Sequence, residues 1–213
     1  MQNYYNRRAH EYEAIYATPD PTRRAELAEI EVEIETLVEG KRVLEIACGT
    51  GYWTAIAART ALHVTAIDAS DEMLDIARAK EYPPGCVTFL HGDAYDLAPV
   101  PGVFNAAVAN FWFSHIHHAR IDDFLVGLQE RLQPGSLVFM ADNVYIPGVG
   151  GELVQPTGSD DTYKLRTLSD GSQHMVLKNY YNEEQLKAIV APTGTSVQLH
   201  MGAAYWWCAY TTP

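Results

Sequence analysis

VLEIACGTGYWT, Val43 to Thr54, reads as an apolar strand, a glycine turn and the start of a helix. Gly49 and Gly51 let the chain reverse sharply and let a ligand come close to the backbone. A strand, a G-x-G turn and a helix in that order mark a nucleotide-type pocket at the end of an open α/β sheet. The turn alone is compatible with a nicotinamide dinucleotide. Two details separate the readings. Thr54 holds the place of the third fingerprint glycine, and Glu45 sits in the strand just before the turn. A pyrophosphate at that helix N-terminus would meet a carboxylate, which is unfavourable. A ligand carrying an ammonium and a sulfonium, and no phosphate, meets no such obstacle.

Outward from this stretch, strands and helices alternate. Residues 22–38 carry Leu27, Ile30, Ile34, Leu37 and Val38 at helical spacing, with Asp20 and Pro21 as cap and first turn. Strands are predicted at 42–47, 63–67, 87–91, 103–110 and 135–141, with helices at 52–59, 70–80 and 120–132 between them. That rhythm implies right-handed crossovers and a mostly parallel sheet with both faces covered, an α/β fold. After Asn143 the rhythm breaks, and Pro147, Gly148, Gly150, Gly151, Pro156 and Gly158 predict a long loop. Beyond it, strands at 174–178 and 197–200 flank a helix at 183–190, and a last strand at 204–210 follows a tight turn near Gly202. This tail predicts a β–α–β addition closed by an antiparallel hairpin.

Acidic residues end two strands. Asp68, in TAIDAS, is placed to accept both hydroxyls of a ribose. Met73 falls in the first turn of the next helix, where its side chain either covers a flat base or joins the core. Asp93, in LHGDAYDL, with the Ala94 backbone beside it, suits an adenine amino group or serves as a turn residue.

The glycine turn, the acidic end of the second strand, G-D-A after the third and L-x-P-G (Leu132, Pro134, Gly135) before the fifth together resemble the class I methyltransferases that use S-adenosylmethionine. The resemblance covers roughly residues 4–143. It implies a Rossmann-like, doubly wound, seven-stranded sheet with an antiparallel last strand. It also implies S-adenosyl-L-methionine as cofactor, with S-adenosyl-L-homocysteine as product. The implied cofactor residues are Tyr5, Tyr12, Glu45, Ala47, Gly49, Gly51, Asp68, Ala69, Met73, Gly92, Asp93, Ala94 and Asn110. YYNRRAHEYE at the N-terminus is similar to the lead-in that closes over cofactor and substrate in small-molecule members, with Asn6 where aspartate is usual. One domain over 1–213 is expected, divided into an N-terminal helical lid (1–40), a cofactor-binding core (41–142) and a substrate-covering loop with C-terminal strands (143–213).

Methyl transfer requires an aligned acceptor more than elaborate chemistry. Candidate acceptor contacts are Trp112, His115, Tyr145 and Arg166, with Tyr163 and His174 nearby, and His115 is the candidate catalytic residue. His115, His117 and His118 read as exposed helix-entry residues, as one functional histidine or, least well, as metal ligands, since no remote carboxylate partner is evident. Asp142 and Asn143 resemble the magnesium segment of catechol-type O-methyltransferases, but Asn110 stands where the other ligand would be an aspartate; no metal is assigned. Eleven per cent aromatic residues, thirteen of them tyrosine, suit a flat or cationic acceptor.

A net charge of −12 opposes nucleic acid and anionic lipid as partners. No apolar run is long enough to span a bilayer and the N-terminus lacks a secretory core, so a cytoplasmic monomer or homodimer acting on a small molecule is expected. Cys48, Cys86 and Cys208 read as small buried hydrophobes. A nicotinamide-dependent reductase and a non-catalytic cofactor-binding module are the competing functions.

Overall fold

The computed structural model describes Tyr4, Glu13, residues 16–168 and residues 170–213, and among these residues ten strands and five bounded α-helices form. Tyr5 and Tyr12 lie outside the described residues. In chain order the elements are α1 (Pro21–Leu37), β1 (Arg42–Ile46), α2 (Tyr52–Ala57), β2 (His63–Asp68), α3 (Asp71–Arg78), β3 (Val87–His91), β4 (Phe104–Asn110), α4 (Ile121–Glu130) and β5 (Leu132–Asn143). They continue with β6 (Glu152–Val154), β7 (Tyr163–Thr167), β8 (Gln173–Leu177), α5 (Glu183–Val190), β9 (Thr195–Met201) and β10 (Tyr205–Thr211).

Side chains alternate across each strand, and here both faces are apolar. Leu44 and Ile46 of β1, Ala107 and Ala109 of β4, and Val138 and Met140 of β5 pack with Phe124, Leu125 and Leu128 of α4 and Leu186 and Val190 of α5. Val43, Ala106, Val108, Phe139 and Ala141 face the other way, onto Leu27, Ile30 and Ile34 of α1 and Trp53 and Ile56 of α2. A sheet buried on both faces is the parallel case. The strand order is β3-β2-β1-β4-β5-β10-β9. Every pairing among β1 to β5 is parallel, and β10 runs antiparallel to both neighbours. The order reverses between β1 and β4, which opens a crevice at the carboxyl ends of those strands.

The tail departs from the predicted β–α–β addition. β8 does not join the main sheet; it pairs with β7, and β7 with β6, in a separate antiparallel sheet. The predicted loop after Asn143 therefore contains two strands. They are short, and the surrounding glycines and prolines mask their pattern. The 204–210 strand is β10, and Gly202 N donates to Tyr205 O at 2.8 Å in the turn that joins it to β9.

Asp20 caps α1, accepting from Thr22 N at 2.8 Å and Arg23 N at 3.3 Å, with Pro21 in the first turn. α1 then grips the β9–β10 turn. The Glu26 carboxylate accepts from Ala203 N (2.8 Å), Ala204 N (3.0 Å) and Tyr205 N (2.9 Å). The approach is so close that a Cβ on Gly202 would lie 2.5 Å from Glu26 Oε2. Trp206 is buried against Phe113, whereas its neighbour Trp207 stacks on His200 at the edge. Cys48 and Cys208 are buried and no disulfide links the three cysteines. No helix among the described residues is long and apolar enough to cross a membrane.

Because three amides share one carboxylate, Glu26→Ala is expected to cost about 2–3 kcal/mol. Thermal unfolding should shift down by roughly 5–10 °C. A melting curve that superimposes on wild type would show that water satisfies this turn equally well.

Candidate functional site

β1 delivers its carboxyl end into the crevice, and the turn that follows is held open by unusual backbone. Ala47, Gly49 and Gly51 all have positive φ, at 53°, 55° and 78°. Ala47 is strained in this region, a cost tolerated at functional turns. At Gly51 a Cβ would lie 2.5 Å from Tyr82 Oη and 3.0 Å from the Ala77 Cβ, so packing as well as φ requires glycine.

Glu45 is 2% exposed, under the turn, and its Oε2 has no hydrogen-bond partner among the described residues. Burial, reinforced by nearby Asp68, pushes its pKa up to about 8 despite the Thr54 hydroxyl and Lys80. Asn110, at the end of β4, is 7% exposed, and both atoms of its amide lack partners. Buried polar groups are normally satisfied, and a polar ligand between β1 and β4 would satisfy these. Asp68 accepts from Gly49 N at 2.8 Å and Ser70 N at 2.9 Å, which fixes its carboxylate at the mouth of the crevice. Burial raises its pKa although those amides oppose the rise.

Met73 is 2% exposed, in the first turn of α3. Ala69 is exposed at the head of that helix, where Ser70 caps Met73 N at 3.2 Å. Gly92 packs on Ile67, Ala94 is buried, and Asp93 is exposed with its carboxylate accepting from Tyr95 N at 2.9 Å. These residues ring the carboxyl ends of β1 to β4, so the predicted cofactor set within the described residues converges in one place. Glu13 and Tyr16 approach the same place. Glu13 accepts from Thr50 Oγ1 at 2.7 Å and pairs with Lys80. Tyr16 stacks on Tyr52 at 4.0 Å and accepts from Trp53 Nε1 at 3.0 Å.

A second space, of about 340 Å³, lies over the ends of β4 and β5. Its walls come from the N-terminal segment (Tyr4, Tyr16), α1 (Arg23), the residues after β4 (Phe111, His115), the end of β5 (Asn143), the small sheet (Arg166, Val176, Lys178, Tyr180) and β10 (Tyr205). Of the predicted acceptor contacts, His115 and Arg166 line it. Trp112 packs against Tyr95 and the core instead, and Tyr145 is 42% exposed, against Tyr180. Arg23 and Lys178 were missed, because each reads in sequence as a solvated charge.

Lys178 is buried and meets the fully buried Asp142 at 2.8 Å, while Ser114 contributes its hydroxyl to Lys178 and its amide to Asp142. Burial pushes the Asp142 carboxyl up, but Lys178 and His115 more than offset it and hold it below the usual carboxylate range. Its oxygens are thereby engaged by Lys178, Ser114 and Asn143 N. The magnesium resemblance at Asp142 and Asn143 thus corresponds to an ion pair in the structure.

His115 is 8% exposed, and its Nδ1 donates to Leu177 O at 2.6 Å, which leaves Nε2 as the lone-pair nitrogen of a neutral ring. Burial and the adjacent Lys178 lower its pKa to about 3. A ring so weakly basic orients a group better than it removes a proton. His117 and His118 lead elsewhere. Their Nδ1 atoms lie 2.6 Å and 2.8 Å from the two oxygens of Asp161, a remote carboxylate that the sequence pattern did not disclose. Burial raises the Asp161 carboxyl, but hydrogen bonds from both histidines and Asn179 hold it well below its ordinary range. This cluster anchors the small sheet. Among the described residues, no three His, Cys, Asp or Glu side chains are arranged to hold a metal ion.

Residues 43–135 match the family described as a methyltransferase domain. The chain is 32% identical over 107 residues to a demethylmenaquinone methyltransferase of Clavibacter sepedonicus, covering 49% of this chain and 42% of that protein. It is 36% identical over 107 residues to a fatty-acid O-methyltransferase of Mycolicibacterium smegmatis, covering 49% and 38%. The chain thus spans about two fifths of the length of these curated relatives. Among solved structures, the complex of DhpI with SAH superimposes with a TM-score of 0.77 at 26% identity, over 100% of this chain and 94% of that one. A DhpI–SAM–HEP complex gives 0.76 at 25%, over 99% and 95%. Motif order, matched domain and sheet topology together make the chain similar to the class I S-adenosylmethionine-dependent methyltransferases.

Proposed function

We propose that the chain transfers a methyl group from S-adenosyl-L-methionine to an oxygen or nitrogen of a small, aromatic or heterocyclic metabolite, leaving S-adenosyl-L-homocysteine. The observation that carries this reading is the set of buried, partnerless polar atoms on Glu45 and Asn110, beside a second cavity large enough for an acceptor. The bound cofactor supplies a methyl carbon already activated by a sulfonium.

The chain's own residues would do the rest. Glu45 would ionise to meet the ammonium of the cofactor's amino-acid end. Asp68 would accept the ribose hydroxyls, Met73 would flank the adenine, and Asp93 with the Ala94 amide would meet its edge. Asn110 would face the amino-acid end or the methyl group. The lead-in, with Tyr5 and Tyr12, would close over both pockets as a lid, an idea supported by the anchoring of Glu13 and Tyr16 beside the turn. Tyr4, Tyr16, Phe111, Tyr180 and Tyr205 give the acceptor cavity an aromatic lining, and His115 would orient the acceptor. DhpI structures that carry SAH or SAM and curated relatives that are methyltransferases support the cofactor and the reaction type. Thr54 in the place of the third fingerprint glycine counts against a dinucleotide.

The deciding experiment incubates the protein with methyl-labelled S-adenosylmethionine and a metabolite extract and identifies the labelled product. Tight S-adenosylhomocysteine binding with no labelled product would favour a binding module. NAD(H) binding in its place would favour a reductase.

Asp68→Ala should weaken S-adenosylhomocysteine by about 2–3 kcal/mol through loss of paired hydrogen bonds. Unchanged calorimetric affinity would remove Asp68 from the ribose. Glu45 gives a pH signature. Its folded pKa lies above its unfolded value near 4.5, so its contribution to ligand-free stability is full below that value and is lost as pH rises through about 8. The ligand-free melting temperature should therefore fall between these limits, and Glu45→Gln should flatten that fall. The same variant should bind S-adenosylhomocysteine about ten- to a hundredfold more weakly. Parallel slopes for both proteins would show that Glu45 does not titrate there. His115→Ala should lower turnover about ten- to a hundredfold at unchanged cofactor affinity. The loss should be uniform across neutral pH, because a ring that titrates near 3 adds no limb to that profile. A pH-dependent loss would instead make it a base.

A further inference from the structure

A chain with a net charge of −12 presents a cavity walled by cations. Arg23 enters from α1, Arg166 from β7 and Lys178 from the segment after β8, and no Asp or Glu among the described residues lines the space. Behind Arg166, Lys164 is 1% exposed and is held by the carbonyls of Val149 and Gly151 at 3.2 and 2.9 Å. Among the described residues, Asp142 is the one carboxylate that pairs with any of these four, and it pairs with Lys178. Arg23 spends its Nε on the Tyr205 hydroxyl at 3.1 Å, and Arg166 forms no ion pair among the described residues. Desolvation and the repulsion of Arg166 and Lys178 both lower the Lys164 pKa, so the wall carries more positive charge than the protein compensates.

Resting on the methyltransferase reading above, we infer that the acceptor is an oxyanion, a carboxylate or a phosphate-type group, held by Arg166 and Arg23, and that the methyl group goes to one of its oxygens. A guanidinium binds such a group through paired donors and leaves another lone pair available to react. In the transfer, an acceptor oxygen uses a lone pair to form the new C–O bond. The C–S bond breaks and its electron pair returns to sulfur. One negative and one positive charge disappear, no proton moves, and the products are a neutral ester linkage and a thioether. This chemistry needs no base, which agrees with a cavity whose histidine is so weakly basic and whose Lys178 is committed to Asp142. The cationic acceptor that the aromatic content allowed is disfavoured by the same wall, since like charges in a desolvated cavity repel strongly.

The test uses the full chain saturated with S-adenosylhomocysteine, titrated with benzoate, phenyl phosphate, benzyl alcohol and benzylamine by calorimetry or ligand-observed NMR. One or both anions should bind at least about tenfold more tightly than the alcohol or the amine. Which anion prevails separates the carboxylate from the phosphate source. Salt should weaken that binding. Arg166→Gln and Arg23→Gln should each reduce anion affinity about tenfold with S-adenosylhomocysteine affinity unchanged, which also reports that the variants fold. Arg166→Lys should restore part of the loss. With labelled methyl donor and pools of carboxylic acids and organic phosphates, label should enter either a methyl ester that releases volatile methanol in base or a base-stable methyl phosphate-type ester identified by its mass. Cofactor binding without preference for anions, preference for benzylamine, or label on a nitrogen or an alcohol oxygen would overturn this inference alone. Failure to bind S-adenosylhomocysteine would instead overturn the methyltransferase reading.

Discussion

Asp142 carries a carboxylate with no exposure at the end of β5, and its charge is tolerable there because Lys178 meets it at 2.8 Å. A desolvated pair of this kind adds little net stability, but removing one partner alone strands the other charge at a cost of about 3–5 kcal/mol. The pair therefore fixes position. It ties the large sheet to the small one and draws Ser114 in from the segment after β4. Asn179 continues the tie, donating its amide to Ser114 O and its side chain to Ile116 O and Asp161. With these contacts in place, Arg166 and His115 face one enclosed space. Without them, the small sheet would have little to register it against β4 and β5.

The two pockets solve different electrostatic problems. The crevice between β1 and β4 buries acid: Glu45 lies under the turn and Asp68 at its mouth, and both are pushed toward the neutral form by loss of water. The cavity over the ends of β4 and β5 buries base. Opposite signs on adjacent pockets polarise the space between them, and a cavity with low-dielectric walls magnifies the effect. The overall acidity of the chain gave no hint of this, because net charge averages over a surface that neither pocket shares.

Much of the large sheet was legible in the sequence. β1 to β5 carry apolar runs, β1 to β3 lead into glycine or acidic residues, and two-sided burial makes such runs continuous. Asp20 and Pro21 announced α1, and the cofactor-side residues follow one another along the chain at strand ends, so their convergence follows from parallel topology. The rest was hidden for physical reasons. β6 has three residues and sits among glycines, so no period can be read from it. β8 was recognisable as a strand, but nothing local specifies that it pairs with β7. Lys164 and Lys178 alternate with polar and apolar neighbours that give no sign of burial, and Asp161 finds His117 and His118 from more than forty positions away. Trp112 and Tyr145 were drawn toward the acceptor by their chemistry alone; packing placed Trp112 against the core and Tyr145 at the surface.

The small sheet leaves the main fold at Asn143 and returns just before Glu183, at two points that the Asp142–Lys178 contact holds side by side. An excursion whose ends are pinned together can be lengthened, shortened or rebuilt with little strain on β1 to β5, because closing a larger loop costs little extra entropy. Residues 144–177 can therefore change as a nearly independent unit, while the large sheet stays as it is.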